Sequence, residues 1–367
     1  MKFKNWINIL LGLYSLTIIA EGLSSSNKAF LRIFLVIIVF SIFIYKKKVF
    51  LINNRLKLFL FVITIPVLIS ILKYDFEQSI LQYLMYFTTF VFVLFIYLTS
   101  KTVSINNILS ITLPLVIIIF IFGIVLDYPM FWRYTYSDNY SRLGGIILNP
   151  NELGMLSSIS AIICYDKFNR KSNIYLLFFC VSLVTLYYTY SRSSMIALTI
   201  ALIFYSIKNK KYLNIISAVI ICLFLFKDIF NIILPRSEVI SDVVTLTGRS
   251  EIWITAITKI IPDNFFFGTG FQNFPGTNYG IAALMAHNTF IQLFVGSGFF
   301  IFLAGLYLVK LVLNNQSGVF YLIFIILLIN SLTEFGFYGP FNHSVFLFIF
   351  LLFKSKHEKN YFAPNNS

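Results

Sequence analysis

His287 and three arginines are the residues of this chain best suited to chemistry. His287, followed by Asn288, closes a long polar stretch and precedes an apolar run. An imidazole with a pKa near 6.5 can take a proton from an attacking hydroxyl. A lone histidine at a membrane boundary also commonly serves only structure. Arg249 sits in Gly248-Arg249-Ser250-Glu251-Ile252-Trp253, at the start of a segment with helical periodicity. A guanidinium beside a helix N-terminus makes a good anion site. Arg192, in Tyr190-Ser191-Arg192-Ser193-Ser194, lies between two apolar runs, so it either snorkels to the interface or holds an anion. Arg142 precedes Gly144-Gly145 and Asn149-Pro150-Asn151-Glu152. Asn149 suits an N-cap, Pro150 the first helical position and Glu152 the third, as in a capping box. That run therefore reads either as a plain helix start or as an anion-facing one.

The elements that must carry these residues are set by composition. Of 367 residues, 59% are hydrophobic, 19% aromatic and only 11% charged. Soluble domains are about a quarter charged. The repeated apolar runs predict an all-α polytopic integral membrane protein, one integral domain over 1–367. Twelve spans are expected, near Trp6–Leu23, Ala29–Tyr45, Leu56–Leu72, Ile80–Leu98, Ile108–Leu126, Leu153–Tyr165, Ile174–Tyr190, Ser193–Ile207, Tyr212–Phe226, Thr289–Val309, Gly318–Thr333 and Phe341–Phe353. Between the ninth and tenth lies a large outer loop over 227–287. Within it Ser250–Ile261 should be a helix ended by Pro262. Its residues Ile252, Trp253, Ala256, Ile257 and Ile260 share one face, as on a helix lying along a membrane surface.

The formal charge of +14 would suggest a polyanion partner in a soluble protein. Here it follows topology instead. With both termini inside, the inner segments take 18 of the 28 Lys and Arg, but only Asp166 and Glu358 of the 14 acids. Losing one span would invert this bias, so the excess marks the cytoplasmic side and not nucleic acid. The outer side then holds the polar places: Asp127–Glu152, Ser191–Ser194, the long loop, and the smaller Glu334–His343. The cysteines, Cys164, Cys180 and Cys222, sit in apolar runs and read as small buried hydrophobes without disulfides. A cleaved signal at Lys2 to Ala20-Glu21-Gly22 is the poorer reading, because the apolar run is long enough for a first span. No Walker loop, Cys/His cluster, Asp-x-Asp loop or Gly-x-Ser-x-Gly elbow is present, and Gly268-x-Gly270 lacks the setting of a nucleotide fingerprint. Arginines, one histidine, amides and tyrosines suit a diphosphate-bearing lipid handled without metal or cofactor.

In order along the chain, Arg142…Asn149-Pro150-Asn151, Ser191-Arg192, Gly248-Arg249-x-x-x-Trp253 with Gly268-x-Gly270, and His287-Asn288 followed by Gly296 and Gly298 resemble the O-antigen polymerase and ligase superfamily of bacterial envelope glycosyltransferases. The resemblance implies a GT-C-like fold in the bacterial inner membrane. It implies a metal-independent, inverting transfer of glycan from undecaprenyl diphosphate to an acceptor glycan on the outer face. Arg192 and Arg249 would clamp the diphosphate, and His287 would act as base. Arg142, Asn149, Asn151, Asn288 and Glu251 would bind substrate. A polymerase is favoured, with a chain-length regulator as a candidate partner. A ligase that delivers glycan to lipid A-core or another acceptor is the alternative. A flippase is disfavoured, because transporters place ionisable groups and broken helices at mid-membrane.

Overall fold

The computed structural model describes residues 3–19, 25–45, 54–73, 77–100, 104–134, 141–170, 172–209, 249–281, 285–334, 336–338 and 342–353. Its helices are α1 (Phe3–Ile19), α2 (Ser25–Tyr45), α3 (Asn54–Lys73), α4 (Glu77–Ser100), α5 (Ile105–Ile119), α6 (Pro150–Phe168), α7 (Ile174–Thr189), α8 (Arg192–Lys208), α9 (Arg249–Thr255), α10 (Thr289–Asn315), α11 (Val319–Ser331) and α12 (His343–Leu352). The expected span Tyr212–Phe226 and Gly248 lie outside the described residues. Every other expected span falls on a helix. Four segments are long and apolar enough to cross a membrane: Asn54–Leu72, Ile80–Leu98, Ile105–Val125 and Thr289–Asn315. The chain is a multi-pass membrane protein, and many large apolar side chains, such as Phe34, Leu72, Val125 and Phe300, face outward.

The centre of the bundle is α6. From Leu153 to Cys164 every residue on it is buried, with α5, α7, α8 and α11 packed around it. Small residues allow this close approach. Added bulk at Gly154 would press on Ser191. Ser158 Oγ donates to the carbonyls of Gly154 and Ser194, each at 2.9 Å, and Ser160 Oγ bonds Thr112 at 2.9 Å. In an apolar surrounding such bonds satisfy groups that lipid could not.

Among the described residues the all-helix expectation fails at one place. A short antiparallel hairpin, β1 (Trp132–Tyr134) with β2 (Ser141–Leu143), pairs Arg133 with Arg142. Two other local expectations are also corrected. Pro262 does not end the loop helix: α9 widens into a π turn over Ala256–Ile260, and Ile261–Asp263 starts a fresh turn, where proline is tolerated. The wide turn also shifts the facing. Ala256 and Ile260 are buried against Phe274, Ala286 and Val295, whereas Ile257 is 56% exposed. The inner face of α9 therefore meets protein. Cys164 is buried as expected, but Cys180 is exposed on α7.

The glycines of the loop and of α10 form one seam. Helix α10 is broken at Gly298, which has φ 72° and ψ 179°. The loop backbone takes over the groups this break would strand. Thr269 N donates to Val295 O at 2.8 Å, Gly270 N to Gly296 O at 2.9 Å, and Phe299 N to Phe265 O at 2.8 Å. A side chain on Gly268, Gly296 or Gly298 would collide with opposing backbone. At 1.5 Å per residue, Gly298 lies about 13 Å along α10 from its start, so the loop dips well in from the helix end. Phe271 N then anchors the loop to α3, donating to Pro66 O at 3.1 Å and Ser70 Oγ at 2.8 Å. The broken helix is thus filled by protein backbone.

Gly298→Ala should lower the melting temperature of the detergent-purified chain far more than Gly280→Ala. Both glycines have positive φ, which costs a larger residue about 1–3 kcal/mol, but an added methyl at Gly280 meets open space. Equal shifts would show that the seam contributes nothing.

Candidate functional site

The site begins at the first turn of α6. Pro150 supplies the fixed φ of the first helical position. Asn149 caps the helix, its Oδ1 accepting from Asn151 N at 3.0 Å and Glu152 N at 3.4 Å. The capping box is only half made, because Glu152 Oε1 turns away to α12. The capped turn leaves the Asn151 side chain available to bridge. Strand β2 brings up Arg142, whose Nε donates to Thr189 O at 3.0 Å and whose Nη2 donates to Asn151 Oδ1 at 2.6 Å. Asn151 Nδ2 donates to Glu334 Oε1 at 2.7 Å.

Glu334 follows the end of α11 and joins this chain to the long loop. Arg249 Nη2 forms an ion pair with the same Oε1 at 2.7 Å, and its Nη1 donates to Thr333 O. Thr189, Arg142, Asn151, Glu334 and Arg249 therefore form one continuous polar path across five elements. Burial pushes the Glu334 carboxyl above the usual carboxylate range, and Arg249 and Arg142 oppose that shift. Two guanidinium groups stand against one carboxylate here.

His287 and Asn288 sit beside Arg249. Asn288 caps α10, with Oδ1 accepting from Phe290 N at 2.9 Å and Ile291 N at 3.1 Å, while Nδ2 donates to Leu332 O at 2.7 Å. Trp253 of α9 donates Nε1–H to Ala286 O at 2.7 Å, which ties the loop helix to the turn that carries the histidine. His287 is held at φ 48°, a left-handed conformation uncommon for a side-chain-bearing residue. Burial, together with the positive charge of Arg249, lowers its pKa to about 4. The imidazole is neutral at pH 7.

The remaining expected residues stand further out. Arg192 opens α8 and is exposed, with no hydrogen bond or ion pair among the described residues. Its helix start is nonetheless tied to the cluster: Ser194 Oγ bonds Asn330 Oδ1 at 2.8 Å, and Ser193 Oγ bonds it at 3.2 Å. Glu251 is exposed on α9 and touches none of the clustered groups.

Three residues carry more than their sequence setting suggested. Glu334 is the junction of the cluster. His343 is fully buried, and its N–H and Nδ1 both bond Glu152 Oε1. Glu152 is thereby a side-chain partner of α12, beyond its place in a cap. A small, partly open recess adjoins these groups, lined by Asn149, Asn151, Glu152, Asn330, Glu334 and Asn342 among others. The sequence signal for Glu334 and His343 was present, since both fall in the smaller outer polar place. No spacing rule links them to Asn151 or Glu152.

Residues 176–306 match the family model described as O-antigen ligase. The match supports the O-antigen polymerase and ligase superfamily, and it includes Arg192, Arg249, His287 and the glycine seam. No curated protein and no solved structure matches the chain.

Glu334→Ala and Asn151→Ala should each lower the melting temperature, and the double variant should fall less than the two drops added. Coupling between bonded partners is about 0.5–3 kcal/mol. Additive losses would mean that the bond through Glu334 Oε1 does not join the two halves of the site.

Proposed function

We propose that the chain is a polymerase of lipid-linked oligosaccharide repeat units in the bacterial inner membrane. It transfers glycan from undecaprenyl diphosphate to an acceptor sugar hydroxyl on the outer face. The observation that carries this reading is the gathering of Arg142 and Arg249 around Glu334, with His287 within reach of the charge of Arg249, the three being drawn from separate stretches of sequence. Supporting it are the match to an envelope glycan family and the bias of basic residues, from which these stretches are expected opposite the cytoplasm.

In this reaction the acceptor oxygen attacks the anomeric carbon and its proton passes to the neutral imidazole of His287. The bond to the diphosphate oxygen breaks with inversion, and the electron pair leaves with the phosphate. Arg249 and Arg142 stabilise that growing negative charge, and Arg192 at the rim adds a third cation. Before substrate arrives, burial and, to a lesser extent, the charge of Arg249 hold His287 weakly basic. A diphosphate beside Arg249 offsets that charge and raises the basicity of the imidazole when it is needed. Asn149, Asn151 and Asn288, with Glu251 further out on α9, are the residues proposed to contact the substrate.

A ligase is the second reading, favoured by the description of the matched family. The two differ in the acceptor, and a deletion strain separates them. A missing polymerase leaves single repeat units on their final acceptor. A missing ligase leaves whole chains on undecaprenyl diphosphate.

In the native host, Arg249→Ala or His287→Ala should abolish long glycan chains on a size ladder while the protein still inserts. Glycan stranded on the cytoplasmic face would overturn the transferase reading in favour of a flippase.

Because the free His287 pKa is lowered, kcat/KM should stay level as pH falls through 6.5. It should decline only toward about pH 4, where the imidazole takes its proton. A fall centred near 6.5 would mean that a different, unperturbed group is the base.

A further inference from the structure

The hairpin that carries Arg142 also carries a second arginine, and the two are set against each other. Strands β1 and β2 pair Trp132 with Leu143 and Arg133 with Arg142. The first pair fixes which way the ribbon faces. Leu143 is fully buried, Trp132 Nε1 donates to Gly123 O at 3.1 Å, and the Trp132 ring stands edge-on to Tyr188. Successive side chains of a strand point to opposite faces, so Arg133 and Arg142 share the other one. Directly opposite residues of an antiparallel pair have their Cβ atoms about 5 Å apart, and like charges placed there destabilise the pair.

Nothing around Arg133 relieves this repulsion. Its Nε is buried without a hydrogen-bond partner, and the residue forms no ion pair among the described residues. An arginine that only snorkels keeps its charged head in water. Arg133 is instead half-buried, with its stem laid over Gly144, where an added Cβ would come within 3.2 Å of Arg133 Cγ. Arg142 donates to two neutral acceptors, Thr189 O and Asn151 Oδ1, and the Glu334 carboxylate beyond Asn151 is paired with Arg249. Two costs coincide here, an unpaired buried donor and a pair of facing cations. An oxyanion between the two guanidinium groups removes both, because the planar fork of arginine matches a phosphate or a carboxylate. A metal cation would add to the repulsion, and a neutral group would leave it in place.

We propose that Arg133 and Arg142 form a second anion station, which holds an oxyanion carried by the lipid-linked substrate. That oxyanion is either the other phosphate of the diphosphate or the carboxylate of an acidic sugar. Arg142 is shared, since its Nη2 leads through Asn151 and Glu334 to Arg249. The station therefore extends the polar path at the end opposite Arg249. Arg133 is the binding residue specific to it, and Gly144 makes room for the stem. Assigning the anion to the substrate rests on the transferase reading above, whereas the station itself rests on the hairpin.

The test is thermal unfolding and anion binding of the full chain in nanodiscs of a zwitterionic lipid, with sodium pyrophosphate and sodium glucuronate as probes. Arg133→Met keeps most of the stem and removes the charge. Without added anion it should melt at or above the native temperature, because the repulsion and the unpaired donor are gone. Its affinity for at least one probe should fall about tenfold, the size expected for one charge-assisted hydrogen bond. Arg133→Lys, which keeps the charge, should recover part of that loss. A loss confined to pyrophosphate identifies the lipid phosphate as the source, and a loss confined to glucuronate identifies an acidic sugar. The station is wrong if neither anion binds the native chain, or if Arg133→Met binds both as tightly as the native chain does. It is also wrong if Arg133→Met lowers the anion-free melting temperature, the mark of a structural arginine. A deletion strain with normal glycan and carrier lipid would remove the transferase reading while leaving these binding results to stand.

Discussion

One carboxylate oxygen, Oε1 of Glu334, holds the candidate centre together. It accepts from Asn151 on the central helix and from Arg249 at the start of the loop helix, each at 2.7 Å. Without an anion between them, Arg142 and Arg249 would repel each other in a partly buried setting where water screens poorly. Burying a carboxylate is costly, and Glu334 is lifted in pKa by that burial. The arginines offset the cost only while the geometry is kept. The site is therefore a cluster in which one carboxylate holds two cations, and a doubly charged phosphate group entering it would compete with Glu334 for the guanidinium groups.

The rest of the fold can be understood as holding this cluster still. Helix α6 is buried along its length from Leu153 to Cys164, so its half-buried first turn is a fixed platform for Asn149, Asn151 and Glu152. The serines and Gly154 along it let α8 approach closely, which sets the Ser191–Ser194 turn beside the platform. The loop that carries Arg249 and His287 has no such rigid base of its own. It gains one by threading Phe265–Gly270 into the break of α10 and bonding Phe271 to α3. The glycine seam and the polar cluster are thus two ends of one arrangement: the first positions the loop, and the second uses it.

Much of this was legible in the amino-acid order. Apolar runs marked the helices, and Asn149-Pro150 marked a capped start, because both signals are local. Arg142, Asn149, Asn151, Arg249, His287 and Asn288 stood out as candidates because cations and amides beside helix starts are scarce in so apolar a chain. What stayed hidden was pairing at long range. Glu334 meets Asn151 across 183 positions of sequence, and His343 meets Glu152 across 191. No periodicity reports such contacts. The half-made capping box has the same cause, since Glu152 satisfied the local pattern while tertiary structure claimed its side chain. Ile257 was misplaced because helical spacing assumes 3.6 residues per turn, and the π turn over Ala256–Ile260 departs from that.

The most direct measurement is an electron cryomicroscopy map of the full chain in nanodiscs that contain undecaprenyl diphosphate. The account predicts phosphate density between the guanidinium groups of Arg142 and Arg249, within hydrogen-bonding reach of both and beside His287. Phosphate density at the opposite end of the bundle, or in a cavity that touches neither arginine, would contradict it.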